Sequence, residues 1–319
     1  MGLQKLQGAF FHVSPASPFL DTHGTIYVCL ASIRGGVLES HIVLIDGIVM
    51  GGGAGLSMNA KFRIVTENTV FAMPEASIGS IPDVGASNFL SRLPGFFGEY
   101  VALTGVRLNG IEMVDCGLAT HFILSKDLAS MENELRMMGS YDARNIPTLI
   151  SKIINKYANW DRETIKLENA YSRLHIINKC FSRETVEDML SSLEKFAACR
   201  CEKWIHDAIK SIKSASPLCI KLTLQLIREG RLQKLEECLA REHLVVSHLL
   251  RRTVNDDFYE GPRAMLIDKD KKPKWSPLKL ELVNKEMLVK CFSTIEDEDW
   301  QPLKLFGRVN PNDFMMSRI

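Results

Sequence analysis

In the first third of the chain, short apolar runs lie before and after a cluster of glycines. The run Ile42–Ile45 has the length and composition of a buried strand. Glycines at positions 51, 52, 53 and 55 follow, and small residues then continue to Ala60, which predicts a turn and a short helix. The segments FRIV at 62–65 and TVFAM at 69–73 predict a second pair of strands.

Helical spacing replaces this pattern further along the chain. Two helices are predicted at 85–93 and 98–104, separated by a Pro-Gly pair. Gly105 then has the position of a C-cap glycine. A short helix at 111–116 and a last core strand at 120–124 complete this part of the prediction.

The pattern from about residue 127 onward is helical. Ser182 precedes an acid-rich segment and is predicted to cap a helix. Ser216, Pro217 and Gly230 have the positions of a cap, a first-turn proline and a terminal glycine. The apolar residues that share one helical face within 231–252 are Leu232, Leu235, Cys238, Leu239, Val246 and Leu249. Such a stripe predicts packing against a core.

The composition argues against several classes of protein. Of the 319 residues, 46% are hydrophobic, which is enough for one large domain or two modest ones. The 39 basic and 38 acidic residues nearly balance, so the charge indicates neither nucleic acid nor a membrane surface. No apolar run approaches the roughly 18 residues of a membrane-spanning helix. The 8 cysteines lack zinc-ligand spacing, which predicts free thiols in a reducing compartment and no metal site.

The glycine cluster permits two interpretations. Consecutive glycines lose conformational entropy on folding, so they are useful where the backbone takes positive φ or approaches another group closely. Amide groups at a strand-to-helix turn can bind an anion or a developing oxyanion. The alternative is a tight turn with close helix–strand packing, and the spacing alone leaves both interpretations open.

Two acidic residues follow prolines after the second strand pair. Glu75 follows Pro74 and Asp83 follows Pro82, and the neighbours of both are mostly apolar or small. A carboxyl group in apolar surroundings has a raised pKa and can act as an acid or a base. The alternative is a pair of surface loop acids, with Asp83 capping a helix that begins near Gly85.

The segment GIVMGGGAGLSMNAKFRIVTENTVFAMPEASIGSIPDVGASNFLSRLPG resembles the core of the crotonase, or enoyl-CoA hydratase/isomerase, superfamily. Within that superfamily it is most similar to the 3-hydroxyisobutyryl-CoA hydrolase branch and its plant hydrolase-like relatives. Segments at 98–123, 215–230 and 256–275 resemble the same branch. The resemblance therefore extends over about residues 25–300.

This resemblance implies an α/β fold, the crotonase-like (ClpP/crotonase) spiral of ββα units, with the first units missing and a helical C-terminal region following. For residues 25–34, which are apolar enough for a helix or a strand, it favours a helix. The expected division is an irregular segment 1–24, a crotonase-like core 25–126 and a helical region 127–319.

The resemblance also implies a site. Gly51 and Gly52 would bind the substrate, with the Gly52 N–H against the thioester oxygen. Glu75 would be the catalytic carboxylate, acting as a nucleophile or as the base that activates water. Asp83 would orient the substrate hydroxyl or the attacking water. The implied partner is an acyl-CoA, with no metal, no cofactor beyond the coenzyme A of the substrate, no nucleic acid and no membrane; a homo-oligomer is left open.

One departure from the family pattern favours a rival function. In the family a second N–H comes from an upstream segment like AFCAGGD, and nothing in residues 1–24 matches it. Losing one oxyanion donor lowers a rate by about a hundredfold or more, so slow hydrolysis is expected. The rival is a catalytically weak, structural subunit of the plant mitochondrial ribosome small subunit. An enoyl-CoA hydratase or isomerase is a third alternative that agrees less well with the downstream segments.

Two further features allow more than one interpretation. The basic run Lys269–Lys274 could neutralise coenzyme A phosphates or form a solvated surface turn. The resemblance implies a mitochondrial protein, although plant members of the family are known as mitochondrial or peroxisomal. The C-terminal tripeptide Ser317-Arg318-Ile319 loosely resembles a peroxisomal signal, so the peroxisome is the alternative location.

Overall fold

The strands among the residues that the structure describes form two sheets. A computed structural model describes residues 10–12, 28–35, 38–137, 146–158, 170–200, 202–297 and 300–305. The strands are β1 Phe10–His12, β2 Val28–Gly35, β3 Leu38–Ile45, β4 Ile48–Met50, β5 Phe62–Val65, β6 Val70–Ala72, β7 Leu108–Asn109 and β8 His121–Phe122. The larger sheet has the order β1-β2-β3-β5-β8 and the smaller sheet the order β4-β6-β7.

Helices make up most of the remaining described structure. The α-helices are α1 Gly52–Met58, α2 Ala86–Phe89, α3 Phe97–Thr104, α4 Gly110–Cys116, α5 Ser125–Met137, α6 Ile146–Tyr157, α7 Leu174–Phe181, α8 Val186–Cys199, α9 Lys203–Ser214, α10 Pro217–Gly230, α11 Leu235–Leu250, α12 Asp257–Pro262 and α13 Lys285–Cys291. Single turns of 3-10 helix lie at Glu75–Ile78, Ala170–Arg173 and Leu280–Leu282, and a π-helical turn lies at Arg263–Ile267. No helix among the described residues combines the length and apolar character needed to cross a membrane.

The predicted strands at 62–65 and 69–73 form, but they do not pair with each other. β5 lies parallel to β3 in the larger sheet, and β6 lies parallel to β4 in the smaller sheet. Parallel strands need a crossover connection. The helix α1 lies in this connection, because it follows β4 and precedes β5 in the chain. The prediction of a strand pair was therefore wrong in its pairing, although both strands are confirmed.

The helix favoured at 25–34 is also wrong. Val28–Gly35 is a strand, paired antiparallel with β3 along all eight of its residues. Gly35 pairs with Leu38, so only two residues connect the strands. The β3 ladder thus satisfies the backbone of this segment in place of a helix.

Both faces of the Ile42–Ile45 part of β3 are buried. Val43 and Ile45 belong to a large apolar cluster with the smaller sheet and the C-terminal helices. Ile42 and Leu44 face a second cluster that includes Met131 of α5 and residues of α6. Burial on both faces explains why the strand reads as one continuous apolar run.

The helix ends agree with the sequence at several positions and differ at one. Gly105 is the αL C-cap of α3 with φ 60°. Ser216 caps α10, with Oγ accepting from Cys219 N at 3.2 Å, and Pro217 is the first helical residue. The predicted cap Ser182 is wrong, because it lies at the C-terminal end of α7. Thr185 caps α8 instead, since its extended backbone brings Oγ1 to Asp188 N at 3.1 Å.

The helices after residue 127 pack directly onto the core. α10 packs against α2 and α3, and α11 packs against α2. Leu232, predicted to share the apolar face of this region, is 93% exposed because α11 begins only at Leu235. The contacts of α11 with α2 are important for the site described next.

Candidate active site

The glycine turn brings the start of α1 next to Glu75. Gly51 precedes α1 with a positive φ of 51°. A Cβ atom on Gly51 would lie 3.4 Å from Glu75 Oε1, whereas a Cβ on Gly52 would meet nothing within 4 Å. The backbone at Gly52 therefore borders open space beside a carboxyl group.

Close packing explains a different glycine of the same cluster. A Cβ on Gly55 would lie 2.4 Å from the Cβ of Val84, which is closer than side chains approach each other. Gly55 is therefore required for contact between α1 and the turn that follows Asp83. The close-packing interpretation is thus confirmed at Gly55. The backbone at Gly52 is open, so binding of an anion there stays a prediction.

Glu75 is a buried carboxyl group at the start of a 3-10 turn. Its residue is 9% exposed, and Oε2 is buried with no hydrogen-bond partner among the described residues. Burial raises the pKa of Glu75 to about 8, and the charge of Asp83 adds to the increase. Gly79 ends the turn in the left-handed conformation, and Ser80 N donates to Glu75 O at 3.0 Å. A buried acid with an unsatisfied oxygen is typical of a functional site.

Asp83 lies in a turn with unusual backbone geometry. Val84 has a φ of 56° and Gly85 a φ of 90°. The left-handed region is rare for a β-branched residue, and such strain occurs most often at functional sites. Burial raises the pKa of Asp83, while a hydrogen bond with its own backbone N–H lowers it.

The interpretation of Asp83 as a helix cap is wrong. The residue before α2 is Gly85, and no side chain caps the helix from that position. Asp83 contributes only its backbone oxygen, which accepts from Ala86 N at 2.9 Å. Its carboxyl group is therefore not used to begin α2.

A third acid, not predicted from the sequence, takes the place of that cap. Glu242 of α11 is 1% exposed and accepts hydrogen bonds from the Gly85 N–H and from Ser87. Burial raises the pKa of Glu242 to about 7, the hydrogen bonds lower it, and the charge of Asp83 raises it. The sequence contained a signal, since Glu242 shares the apolar helical face of Cys238 and Leu239. A charged residue on such a face requires buried partners.

The three carboxyl groups form one electrostatic cluster, because the charge of Asp83 acts on both Glu75 and Glu242. Among the described residues, no group of three or more His, Cys, Asp or Glu side chains could hold a metal ion. The lysines of the run Lys269–Lys274 are exposed, as a solvated turn would be. Carboxyl groups with raised pKa values can act as acids or bases, and here they lie near the open backbone at Gly52.

Comparison with known proteins identifies the family. Residues 30–292 match the family model described as enoyl-CoA hydratase/isomerase. The chain therefore belongs to the enoyl-CoA hydratase/isomerase family.

Individual members of this family and one solved structure are similar to the chain over most of its length. The chain is 50% identical to the Arabidopsis thaliana protein named 3-hydroxyisobutyryl-CoA hydrolase 1, over 85% of this chain and 70% of that relative. It is also 50% identical to probable 3-hydroxyisobutyryl-CoA hydrolase 2 of the same plant, over 85% of this chain and 71% of that relative. Among solved structures, a carnitinyl-CoA dehydratase from Mycobacterium thermoresistibile is 29% identical with a TM-score of 0.66, covering 79% of this chain and 67% of that structure.

Two other relatives have names that bear on location and on the rival function. The Arabidopsis thaliana small ribosomal subunit protein mS47 is 42% identical, over 83% of this chain and 63% of its own length. The Xenopus laevis protein named 3-hydroxyisobutyryl-CoA hydrolase, mitochondrial, is 38% identical over 82% of this chain and 65% of its own length.

Proposed function

We propose that the protein is an acyl-CoA thioester hydrolase whose substrate is 3-hydroxyisobutyryl-CoA, an intermediate of valine breakdown. The observation that carries the proposal is the position of Glu75. Its buried carboxyl group lies beside the Gly51–Gly52 turn, where the backbone is open to a ligand. The 50% identity to plant proteins named for this activity supports the choice of substrate.

The reaction assigns a distinct task to each residue. The thioester oxygen accepts a hydrogen bond from the Gly52 N–H, which stabilises the negative charge that develops as the carbonyl carbon is attacked. Ionised Glu75 either attacks that carbon itself or takes a proton from the water that does. The carbon–sulfur bond then breaks and coenzyme A leaves as its thiolate. The thiolate takes a proton from Glu75 where Glu75 has activated the water, and from solvent water where Glu75 has attacked the carbon. If an acyl-Glu75 anhydride forms, water hydrolyses it in a second step and regenerates the carboxylate.

Asp83 orients the hydroxyl group of the substrate or the attacking water. Its carboxyl group is available because the start of α2 does not use it as a cap. Coenzyme A enters as part of the substrate, so the reaction as written requires no further cofactor. The relatives named as mitochondrial support a mitochondrial location.

The direct test measures thiol release from 3-hydroxyisobutyryl-CoA by the purified protein and by Glu75→Gln. The substitution keeps the shape of the side chain and removes its basicity, so we expect kcat to fall by at least about a hundredfold. Crotonyl-CoA serves as the comparison substrate, because a hydratase would consume it without releasing thiol. Equal thiol release by the two proteins would contradict the role of Glu75.

A second candidate is a structural subunit of the small subunit of the mitochondrial ribosome. The observation in its favour is the 42% identity to a protein named as a small ribosomal subunit component. This candidate predicts no thiol release above buffer from either protein. It also predicts that the chain sediments with mitochondrial small ribosomal subunits in a salt-resistant manner.

A further inference from the structure

Glu242 holds the turn after Asp83 from a distant part of the chain. Its Oε2 accepts from Gly85 N at 2.6 Å, and its Oε1 accepts from Ser87 N at 2.8 Å and from Ser87 Oγ at 2.5 Å. These bonds join α11 to the start of α2 across more than 150 positions of sequence. With three donors on two oxygens, the side chain is used entirely as an acceptor.

The turn needs such support because its backbone is strained. Val84 has a φ of 56°, which is strained for a β-branched residue, and Gly85 follows with a φ of 90°, which glycine adopts readily. Gly85 has no side chain with which to cap α2, so its N–H and that of Ser87 need an acceptor from elsewhere. α11 also packs closely here, since a Cβ on Gly85 would lie 3.1 Å from Leu235 Cδ1. Strained conformations persist where the surrounding structure fixes them in this way.

We propose that Glu242 is a positioning residue for the reaction, holding the Asp83 turn in its strained conformation by accepting the N–H groups of Gly85 and Ser87. The role rests on the proposed hydrolase function. Because Glu242 caps α2, the carboxyl group of Asp83 stays available to the substrate next to Glu75. An amide could not replace this carboxylate, because its NH₂ group would face an N–H donor.

The test compares kcat and KM for thiol release in the wild-type protein, Glu242→Gln and Glu112→Gln. Glu112 is the matched control, a buried carboxylate of α4 that accepts from Asn109 N at 2.8 Å and Ala170 N at 2.5 Å and does not touch the Asp83 turn. A displaced catalytic turn lowers kcat by about tenfold to a hundredfold, with KM changed by less than about twofold. We expect this loss in Glu242→Gln and not in Glu112→Gln.

The double variant Glu242→Gln/Asp83→Asn tests whether Glu242 acts through Asp83. If it does, Glu242→Gln has little further effect on kcat once Asp83 is changed, because the two losses share one cause. Equal losses in the two backgrounds would overturn the inference, and so would a wild-type kcat in Glu242→Gln or an equal loss in Glu112→Gln.

If Glu242→Gln does not fold, Ser87→Ala provides a second test. It removes one of the three hydrogen bonds and is expected to lower kcat by a few-fold; an unchanged kcat then overturns the inference.

Amide hydrogen exchange keeps this inference separate from the proposed function. If the wild-type protein releases no thiol, the hydrolase proposal fails, and exchange at Gly85 and Ser87 decides the role of Glu242. Exchange at both amides at least about tenfold faster in Glu242→Gln than in the wild-type protein, with Ala170 unchanged, supports the fixed turn. Unchanged exchange at Gly85 and Ser87 overturns it.

Discussion

Burial of Glu75 favours its protonated form, whereas the proposed chemistry requires its ionised form. Either role of this residue requires the carboxylate, yet its position favours the neutral acid and raises the pKa to about 8. A base is most effective when its pKa lies near the working pH, so a raised pKa is useful as long as ionisation remains accessible. The neighbouring Asp83 charge increases the same effect.

The pH dependence of hydrolysis should therefore follow the ionisation of Glu75. We expect kcat/KM to rise with pH through a midpoint near 8, because the active form is deprotonated and kcat/KM reports the free enzyme. The measurement is thiol release at subsaturating substrate between about pH 6 and pH 9. Glu75→Gln provides the blank, since spontaneous thioester hydrolysis also accelerates in base. A flat profile after this correction would mean that Glu75 does not need to ionise.

The three acids of the site differ in how far the sequence predicted them. Glu75 and Asp83 follow prolines within a recognisable segment, so their positions were predicted from local sequence and family resemblance. Glu242 was missed because its partners Gly85 and Ser87 lie more than 150 residues away. Local spacing carries no information about such a contact, and only the charge on an apolar helical face indicated that a partner exists.

For the elements around the glycine turn, the sequence likewise predicted local structure and did not predict contacts between distant segments. The apolar run of β3 and the bounds of β5 were readable from sequence, because burial and β-branched side chains mark them locally. The hairpin of β2 with β3 and the division of the strands into two sheets were not, since pairing partners depend on the path of the whole chain. The difference between the open backbone at Gly52 and the close contact at Gly55 likewise became clear only from what surrounds each position.

Alanine substitutions at Gly52 and Gly55 should separate function from packing within α1. Gly55→Ala places a methyl group 2.4 Å from Val84 Cβ, so we expect a loss of stability of about 1–3 kcal/mol. Gly52→Ala meets no atom within 4 Å, so the melting temperature should stay near that of the wild-type protein. Its methyl group would enter the space proposed for the thioester, lowering kcat/KM by at least about tenfold. Thermal melts and thiol-release kinetics of both variants give the comparison; equal destabilisation by the two would contradict it.

At the scale of the whole molecule, the helices after residue 127 support the site. Glu242 reaches the Asp83 turn from α11, and α10 covers α2 and α3. A partly buried ion pair reinforces this contact, with Arg231, just after α10, donating to both carboxylate oxygens of Glu99 at 2.7 Å. The Glu99 side chain is fully buried, whereas that of Arg231 is 33% exposed. The Asp83 turn therefore depends on docking between distant parts of the chain.

Removing Arg231 should weaken this docking more than removing an exposed partner elsewhere. Arg231→Ala leaves a buried carboxylate without its cation, and allowing for the partial exposure of Arg231 we expect a loss of about 2 kcal/mol. Burial already raises the pKa of Glu99 and Arg231 lowers it, so without Arg231 the pKa rises further. The stability deficit should therefore grow as pH increases, because ionised Glu99 is then the disfavoured form in the folded state.

Thermal melts at several pH values, with two further variants, make this prediction specific. Arg136→Ala removes the partner of Glu132 from an exposed i,i+4 pair on α5 and should change the melting temperature little. Glu99→Gln/Arg231→Ala removes the buried charge as well, so it should recover part of the stability and lose most of the pH dependence. If the double variant is instead less stable than Arg231→Ala at high pH, Glu99 does not need its cation, and the contact between α3 and α10 rests on apolar packing alone.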